Sequence, residues 1–131
     1  MRRASCGCGQ LRVACEGEPV RISICHCLAC QRRTGSVFGV QARFPRAQVA
    51  IEGASSLYAR TADSGNSVSF HFCPSCGSTV YWEFAAMPDV IAVAVGAFAD
   101  ADFPLPRHSV FEASGHAWSL MLADPVAEHL D

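Results

Sequence analysis

The sequence contains no lysine, and all ten of its basic residues are arginine. Without lysine, chemistry that forms a Schiff base on the protein or that depends on the P-loop lysine is excluded. The sequence also lacks a nucleophile elbow, a dinucleotide-binding fingerprint, a metalloprotease motif and a paired-carboxylate signature. Most common enzyme motifs are therefore absent, and the function has to be sought in other residues.

Long apolar runs and a strong charge imbalance are absent as well. The longest apolar run, residues 90–99, is too short to cross a bilayer and includes a glycine. The residues after Met1 have no apolar stretch typical of a signal peptide. Ten arginines stand against twelve acidic residues, for a net charge of −2, which speaks against nucleic-acid binding. We expect a cytoplasmic protein that does not associate with membranes.

The length and the hydrophobic pattern predict one mainly β domain over residues 1–131, built from small sheets. Short segments that alternate or are rich in apolar residues, separated by turn residues, are typical of strands. They are residues 11–15, 20–24, 36–44, 49–51, 57–60, 67–72, 79–84 and 90–95. Helix signals are weak and are confined to one turn at residues 27–33 and the stretch after Pro125.

The most informative feature that the sequence does have is its eight cysteines. In a cytoplasmic protein, clustered cysteines indicate metal ligands more often than disulfide bonds. Seven of them fall into three groups, which are the pair Cys6 and Cys8, the triplet Cys25, Cys27 and Cys30, and the pair Cys73 and Cys76. Gly77 follows the last pair, as in a zinc knuckle. These spacings predict that zinc is bound by thiolates.

The number of ligands constrains how the groups combine. A tetrahedral zinc site takes four ligands, and the triplet joined to either pair would supply five. The division that splits no group is a closed site of four cysteines, formed by the two pairs, and an open site of three. Two alternatives are a set of disulfide bonds and a second closed site completed by Cys15 or His26. Cys15 lies in an alternating segment and is expected to be buried packing, whereas His26 is expected to face solvent or form a hydrogen bond.

The residues around these cysteines resemble one known family. The stretch from Cys25 to Phe38, preceded by Cys6-Gly-Cys8-Gly9 and followed by Phe72 to Ser78, is similar to the glutathione-dependent formaldehyde-activating enzyme family. The Gly96-Ala-Phe segment, Pro106-Arg107-His108 and Trp118 resemble the C-terminal portion of that family more loosely.

The resemblance implies an Mss4-like fold of two small β-sheets that carries two zinc ions. It implies a structural site at Cys6, Cys8, Cys73 and Cys76, and a catalytic site at Cys25, Cys27 and Cys30. It also implies carbon–sulfur lyase activity of the S-(hydroxymethyl)glutathione synthase type. The expected partners are a small thiol, glutathione, and formaldehyde or a related aldehyde.

Three polar residues after the triplet are candidate substrate contacts. Arg32 and Arg33 follow Cys30 closely, and an arginine there would hold a substrate carboxylate by two hydrogen bonds. Ser36 is a further candidate polar contact. The competing hypothesis for the whole chain is a zinc-ribbon-like module that binds nucleic acid or protein without catalysis.

Overall fold

The computed structural model describes residues 1–62, 64–122 and 128–130. In these residues the chain is mainly β and forms two sheets. The strands are β1 (Arg2–Ser5), β2 (Arg12–Cys15), β3 (Arg21–Cys25), β4 (Gly39–Pro45), β5 (Val49–Glu52), β6 (Ser56–Thr61), β7 (Ser67–Phe72), β8 (Thr79–Phe84), β9 (Met87–Ala94), β10 (His108–Val110) and β11 (Glu128–His129). The α-helices are α1 (Leu28–Thr34) and α2 (Ala117–Leu122), and short 3-10 turns lie at Arg46–Gln48, Val95–Phe98 and Glu112–Ser114.

The chain divides into two compact units. The first comprises residues 1–20 and 42–103. In it, β1, β2 and β5 pair antiparallel in that order, and β6 to β9 form an antiparallel series in chain order. The second unit comprises residues 21–41 and 104–131. There, β10 runs parallel to both β3 and β11.

The first unit has an aromatic core on β7 and β8. Phe70 and Trp82 are opposite each other in the register, and their ring centroids lie 5.5 Å apart. Val68 and Ala92 complete this buried cluster. Burial of each large apolar side chain contributes about 1.5–3 kcal/mol, so the contact between these buried side chains stabilises the pairing of β7 with β8.

The second unit buries polar side chains in its centre. Ser23, His26 and Ser109 are each exposed by 1% or less. The pairing places Val110 beside Cys25, so β10 lies alongside the start of the cysteine triplet. Polar groups this deeply buried require hydrogen-bond partners. The Ser23 Oγ accepts from Nε of Arg21 at 2.9 Å, and the Ser109 Oγ lies 3.0 Å from Nε2 of His26.

The prediction of a mainly β fold with two sheets is confirmed. All eight predicted strand segments overlap observed strands, and residues 67–72 and 79–84 match β7 and β8 at both ends. The helical turn predicted at residues 27–33 corresponds to α1. Of the stretch after Pro125, residues 126–127 and 131 lie outside the described part, while Glu128–His129 is a strand and not a helix. None of the helices in the described ranges is long and apolar enough to cross a membrane.

Candidate metal centres

Four cysteine sulfurs meet in the first unit. The Sγ atoms of Cys6, Cys8, Cys73 and Cys76 all lie within 4.8 Å of one another. The Sγ of Cys8 is 3.6 Å from that of Cys6 and 3.7 Å from that of Cys73. Four thiolates around zinc at about 2.3 Å would have sulfurs roughly 3.8 Å apart. The cluster can therefore hold a tetrahedral metal ion.

The turn after Cys6 is closed by backbone hydrogen bonds. The N–H of Cys6 donates to the Leu11 carbonyl at 2.9 Å, and the N–H of Gly9 donates to the Cys6 carbonyl at 3.1 Å. Gly9 has a φ of +83°, which a residue with a side chain rarely adopts. The N–H of Leu11 also points at the Sγ of Cys6, at 3.3 Å. This turn therefore brings Cys6 and Cys8 to one side and supplies a donor to sulfur.

The turn after Cys73 is built in the same way. The N–H of Cys73 donates to the Ser78 carbonyl at 2.9 Å, and the N–H of Gly77 donates to the Cys73 carbonyl at 2.8 Å. Gly77 has a φ of +80°. The N–H of Ser75 points at the Sγ of Cys73, at 3.4 Å. The knuckle that the sequence predicted here is confirmed.

Gln10 connects the four-sulfur cluster to a neighbouring loop. Its Nε2 donates to the Sγ of Cys73 at 3.1 Å and to the Ala54 carbonyl at 2.6 Å. Its Oε1 accepts from the N–H of Ala54 at 3.0 Å. No local sequence signal identifies Gln10, because its partners are 44 and 63 positions away.

Hydrogen bonding shifts the pKa values of the two exposed cysteines of this cluster, Cys76 and Cys8, in opposite directions. The hydroxyl and the N–H of Ser78 lower the pKa of Cys76 to about 5. The N–H of Gln10 acts to lower the pKa of Cys8, but the sulfurs of Cys6 and Cys73 outweigh it and raise that pKa to about 11. A metal ion that binds Cys8 therefore has to displace the proton of its thiol.

Three further sulfurs meet in the second unit. The Sγ atoms of Cys25, Cys27 and Cys30 lie within 4.8 Å of one another. Cys25 ends β3, Cys27 is the N-cap of α1, and the Cys27 Sγ accepts the N–H of Cys30 at 3.3 Å. The N-cap and the third residue after it lie on the same side of the helix start, which brings Cys27 and Cys30 together. Close contact with the Cys27 and Cys30 sulfurs, together with burial, raises the pKa of Cys25.

Neither Cys15 nor His26 joins this cluster. Within the described ranges, the groups of three or more side chains that could hold a metal ion are the cluster of four and the cluster of three. Cys15 is fully buried in β2, as expected, and burial raises its pKa to about 11. His26 is fully buried, and its Nε2 lies 3.0 Å from the Ser109 Oγ. All eight cysteines are free thiols. The alternatives of a second closed site and of a disulfide framework are therefore wrong for the described structure.

The candidate substrate contacts differ in their surroundings. A Cβ added at Gly39 would lie 2.9 Å from Nη2 of Arg33 and 3.6 Å from Cβ of Cys30, so the guanidinium of half-buried Arg33 lies across Gly39 close to the three-sulfur cluster. The Sγ of Cys25 and the charge of Arg33 both act to lower the pKa of Cys30, although the Cys27 sulfur and burial raise it overall. Arg32 and Ser36 are exposed.

The structure also contains a cavity in the first unit. It measures about 250 Å³ on the sheet of β1, β2 and β5, where Arg3, Arg12 and Glu52 are among the lining residues. No cysteine lines it. Arg12 and Glu52 pair with each other at 3.2 Å. Because no clustered cysteine and no candidate substrate contact lines this cavity, it does not identify the functional site.

The fold and the two clusters define a mainly β protein with cysteine sites that can hold metal ions. The chain belongs to the family described as glutathione-dependent formaldehyde-activating enzyme, whose model matches residues 1–114. That range includes all seven clustered cysteines. The resemblance seen in the sequence is therefore confirmed, and with it the Mss4-like class of fold.

Comparison with solved structures supports the fold. A crystal structure of a Rhodobacter sphaeroides protein, a structural genomics target, aligns with a TM-score of 0.57 at 20% identity. The alignment covers 72% of this chain and 85% of that one. No curated protein matches this chain.

Proposed function

We propose that this chain is a zinc-dependent carbon–sulfur lyase that acts on the adduct of a small thiol and an aldehyde. The observation that carries the proposal is the three-sulfur cluster of Cys25, Cys27 and Cys30, which no fourth side chain of the described ranges completes. Family membership supports glutathione as the thiol and formaldehyde as the aldehyde. In this proposal residues 1–131 act as one zinc domain with two metal sites.

The two sites have different roles in this proposal. Cys6, Cys8, Cys73 and Cys76 form a closed structural site, because four thiolates fill a tetrahedron. Cys25, Cys27 and Cys30 form the catalytic site. Zinc bound there supplies a vacant position at which a substrate thiol is held deprotonated at neutral pH.

Arg33 is the residue of this chain that best fits the substrate's charge. Glutathione carries carboxylates, and a guanidinium binds a carboxylate with two parallel hydrogen bonds. The guanidinium of Arg33 lies close to Cys30. Arg32 and Ser36 are exposed and are therefore weaker candidates for binding the substrate carboxylate. Arg33 would thus orient the substrate thiol, and correct orientation of the reactants by itself substantially lowers the activation barrier of a reaction.

The reaction balances without a redox partner. The thiolate sulfur forms a bond to the carbonyl carbon of formaldehyde, and the carbon–oxygen double bond becomes a single bond. The oxygen takes up one proton, and the thiol has lost one, so S-hydroxymethylglutathione is the sole product. The reverse reaction breaks the same carbon–sulfur bond, as expected of a lyase.

The test is NMR exchange spectroscopy of glutathione and formaldehyde, with metal analysis of the same samples. Wild-type protein should accelerate exchange over buffer and contain close to two zinc ions per chain. Cys27→Ser should lose the acceleration and one zinc, whereas the control Cys15→Ala, which changes a buried cysteine outside both clusters, should lose neither. A wild-type rate equal to that of buffer would contradict the proposed substrate. Salt-dependent retention of DNA would instead favour the binding module.

A matched pair of variants tests the arginine assignment. Arg33→Gln should raise the KM for glutathione roughly 10- to 100-fold, because a hydrogen bond to a charged group contributes about 1.5–3 kcal/mol. Arg32→Gln removes the same charge from an exposed neighbour and should have little effect. Equal effects of the two substitutions would show that only overall charge matters.

A further inference from the structure

His26 lies between two of the candidate metal ligands, and both its backbone N–H and its backbone carbonyl form hydrogen bonds. Its N–H donates to the Val110 carbonyl at 3.0 Å. Its carbonyl accepts from Nε2 of Gln31 at 3.0 Å, and the same Nε2 donates to the Ser114 carbonyl at 3.0 Å. The peptide that joins Cys25 to Cys27 is thus tied to residues 110–114.

The imidazole of His26 also forms a hydrogen bond, in a chain that runs through Ser109 to Glu112. The Ser109 Oγ lies 3.0 Å from Nε2 of His26 and 2.6 Å from Oε2 of Glu112. Oε2 of Glu112 also lies 2.8 Å from Nδ1 of His129. Both His26 and Ser109 are fully buried.

The donors and acceptors in this network have a defined direction. Burial acts to raise the pKa of Glu112, but the hydrogen bonds from Ser109 and His129 outweigh it and lower that pKa, so the carboxylate is ionised near neutral pH. An ionised carboxylate only accepts hydrogen bonds. The Ser109 hydroxyl therefore donates to Glu112, its oxygen is left to accept, and Nε2 of His26 must carry the hydrogen that it accepts.

We infer that His26 is a positioning residue for the three-sulfur centre, fixed by Ser109 and Glu112 so that Cys25 and Cys27 converge on one metal ion. Its ring nitrogens are not part of the sulfur cluster. Its hydrogen bonds instead set the path of the backbone between the two ligands. This inference rests on the three-sulfur centre of the proposed function binding a metal. Loss of groups that orient metal ligands typically lowers metal affinity 10- to 100-fold.

The experiment measures metal affinity by chelator competition on the full chain, with cobalt absorption as a second readout. Ser109→Ala should lower the affinity of one of the two bound ions 10- to 100-fold, leave the other unchanged and alter the cobalt spectrum. Ser119→Ala is the matched control, because Ser119 is buried in the same unit but donates to the His116 carbonyl. Equal affinities in the two variants, or equal weakening of both ions, would overturn the inference.

Rescue by a conservative variant separates positioning from general stability. His26→Gln keeps a donor where Nε2 of His26 lies and should retain most of the affinity, whereas His26→Leu should lose it. If Gln and Leu weaken binding equally, the hydrogen bond to Ser109 is not what matters. Should Ser109→Ala fail to fold, Glu112→Gln tests the same chain of hydrogen bonds. If wild-type protein binds a single zinc, the proposed function itself is refuted. If it binds two and neither affinity depends on Ser109, only the inference about His26 is refuted.

Discussion

Replacement of Gln10 by alanine tests how the four-sulfur cluster is supported. The side chain of Gln10 makes three hydrogen bonds, one to the Sγ of Cys73 and two to the backbone of Ala54. Gln10→Ala removes all three at once and leaves the four cysteines in place. Each such bond contributes a net ~0.5–1.5 kcal/mol.

The magnitude follows from the exposure of these groups. The bonds to Ala54 are near the surface, where water replaces them in part, so the low end of the range applies to them. The bond to Cys73 is to a buried sulfur that bears negative charge when metal is bound. We expect a total loss of about 2 kcal/mol. For a domain of this size that corresponds to a fall in Tm of roughly 6–10 °C.

Thermal unfolding followed by circular dichroism, at fixed excess zinc, measures this loss, because bound metal itself stabilises the native state. Gln48→Ala is the control, since it shortens another glutamine at an exposed position. Gln10→Glu keeps the acceptor for the Ala54 N–H but places a carboxylate beside the thiolates. It should therefore release zinc to a chelator faster than Gln10→Ala does. If Gln10→Ala and Gln48→Ala unfold at the same temperature, the bridging role of Gln10 is refuted.

Three further predictions concern the clusters and their supporting loop. Cys73→Ser should prevent stable folding, because the binding free energy of a structural zinc, about 10–16 kcal/mol, exceeds the folding stability of most domains. Tryptophan fluorescence at rising urea concentration measures this loss of stability, and a folded variant with one zinc and normal stability would contradict the prediction. Metal affinity at the three-sulfur site should rise with pH, because the raised pKa of Cys25 keeps its thiol protonated and binding releases that proton; a chelator competition that is flat between pH 6 and 8 would refute this. Gly53→Ala should lower Tm, since Gly53 has a φ of +99° and a Cβ there would collide with the Gln10 carbonyl; an unchanged Tm would show that the loop relaxes freely.

The sequence was most informative where the chemistry was local. Cysteines two or three residues apart necessarily lie close together, so spacing and ligand number sufficed to separate the cluster of four from the cluster of three. The strands β7 and β8 were likewise predicted from short segments rich in apolar residues that flank the knuckle of Cys73 and Cys76. The helical turn after Cys27 was found for the same reason, since its cap and first turn are contiguous.

Features that depend on distant partners were not found. Strands β1 and β10 are only four and three residues long, and pairing with β2 and β3 rather than local pattern defines them. The hydrogen bond between His26 and Ser109 joins residues 83 positions apart. No local periodicity encodes such contacts, so the burial of His26 became visible only in the folded chain.

The central claim is that the centre of Cys25, Cys27 and Cys30 has a position open to a substrate thiol. Titration of glutathione into cobalt-loaded protein, followed by sulfur-to-metal charge-transfer absorption, tests this most directly. Glutathione should cause a saturable increase in this absorption in wild type, which Cys27→Ser should abolish and Cys15→Ala should retain. A wild-type spectrum that glutathione leaves unchanged, with two cobalt ions bound per chain, would contradict it.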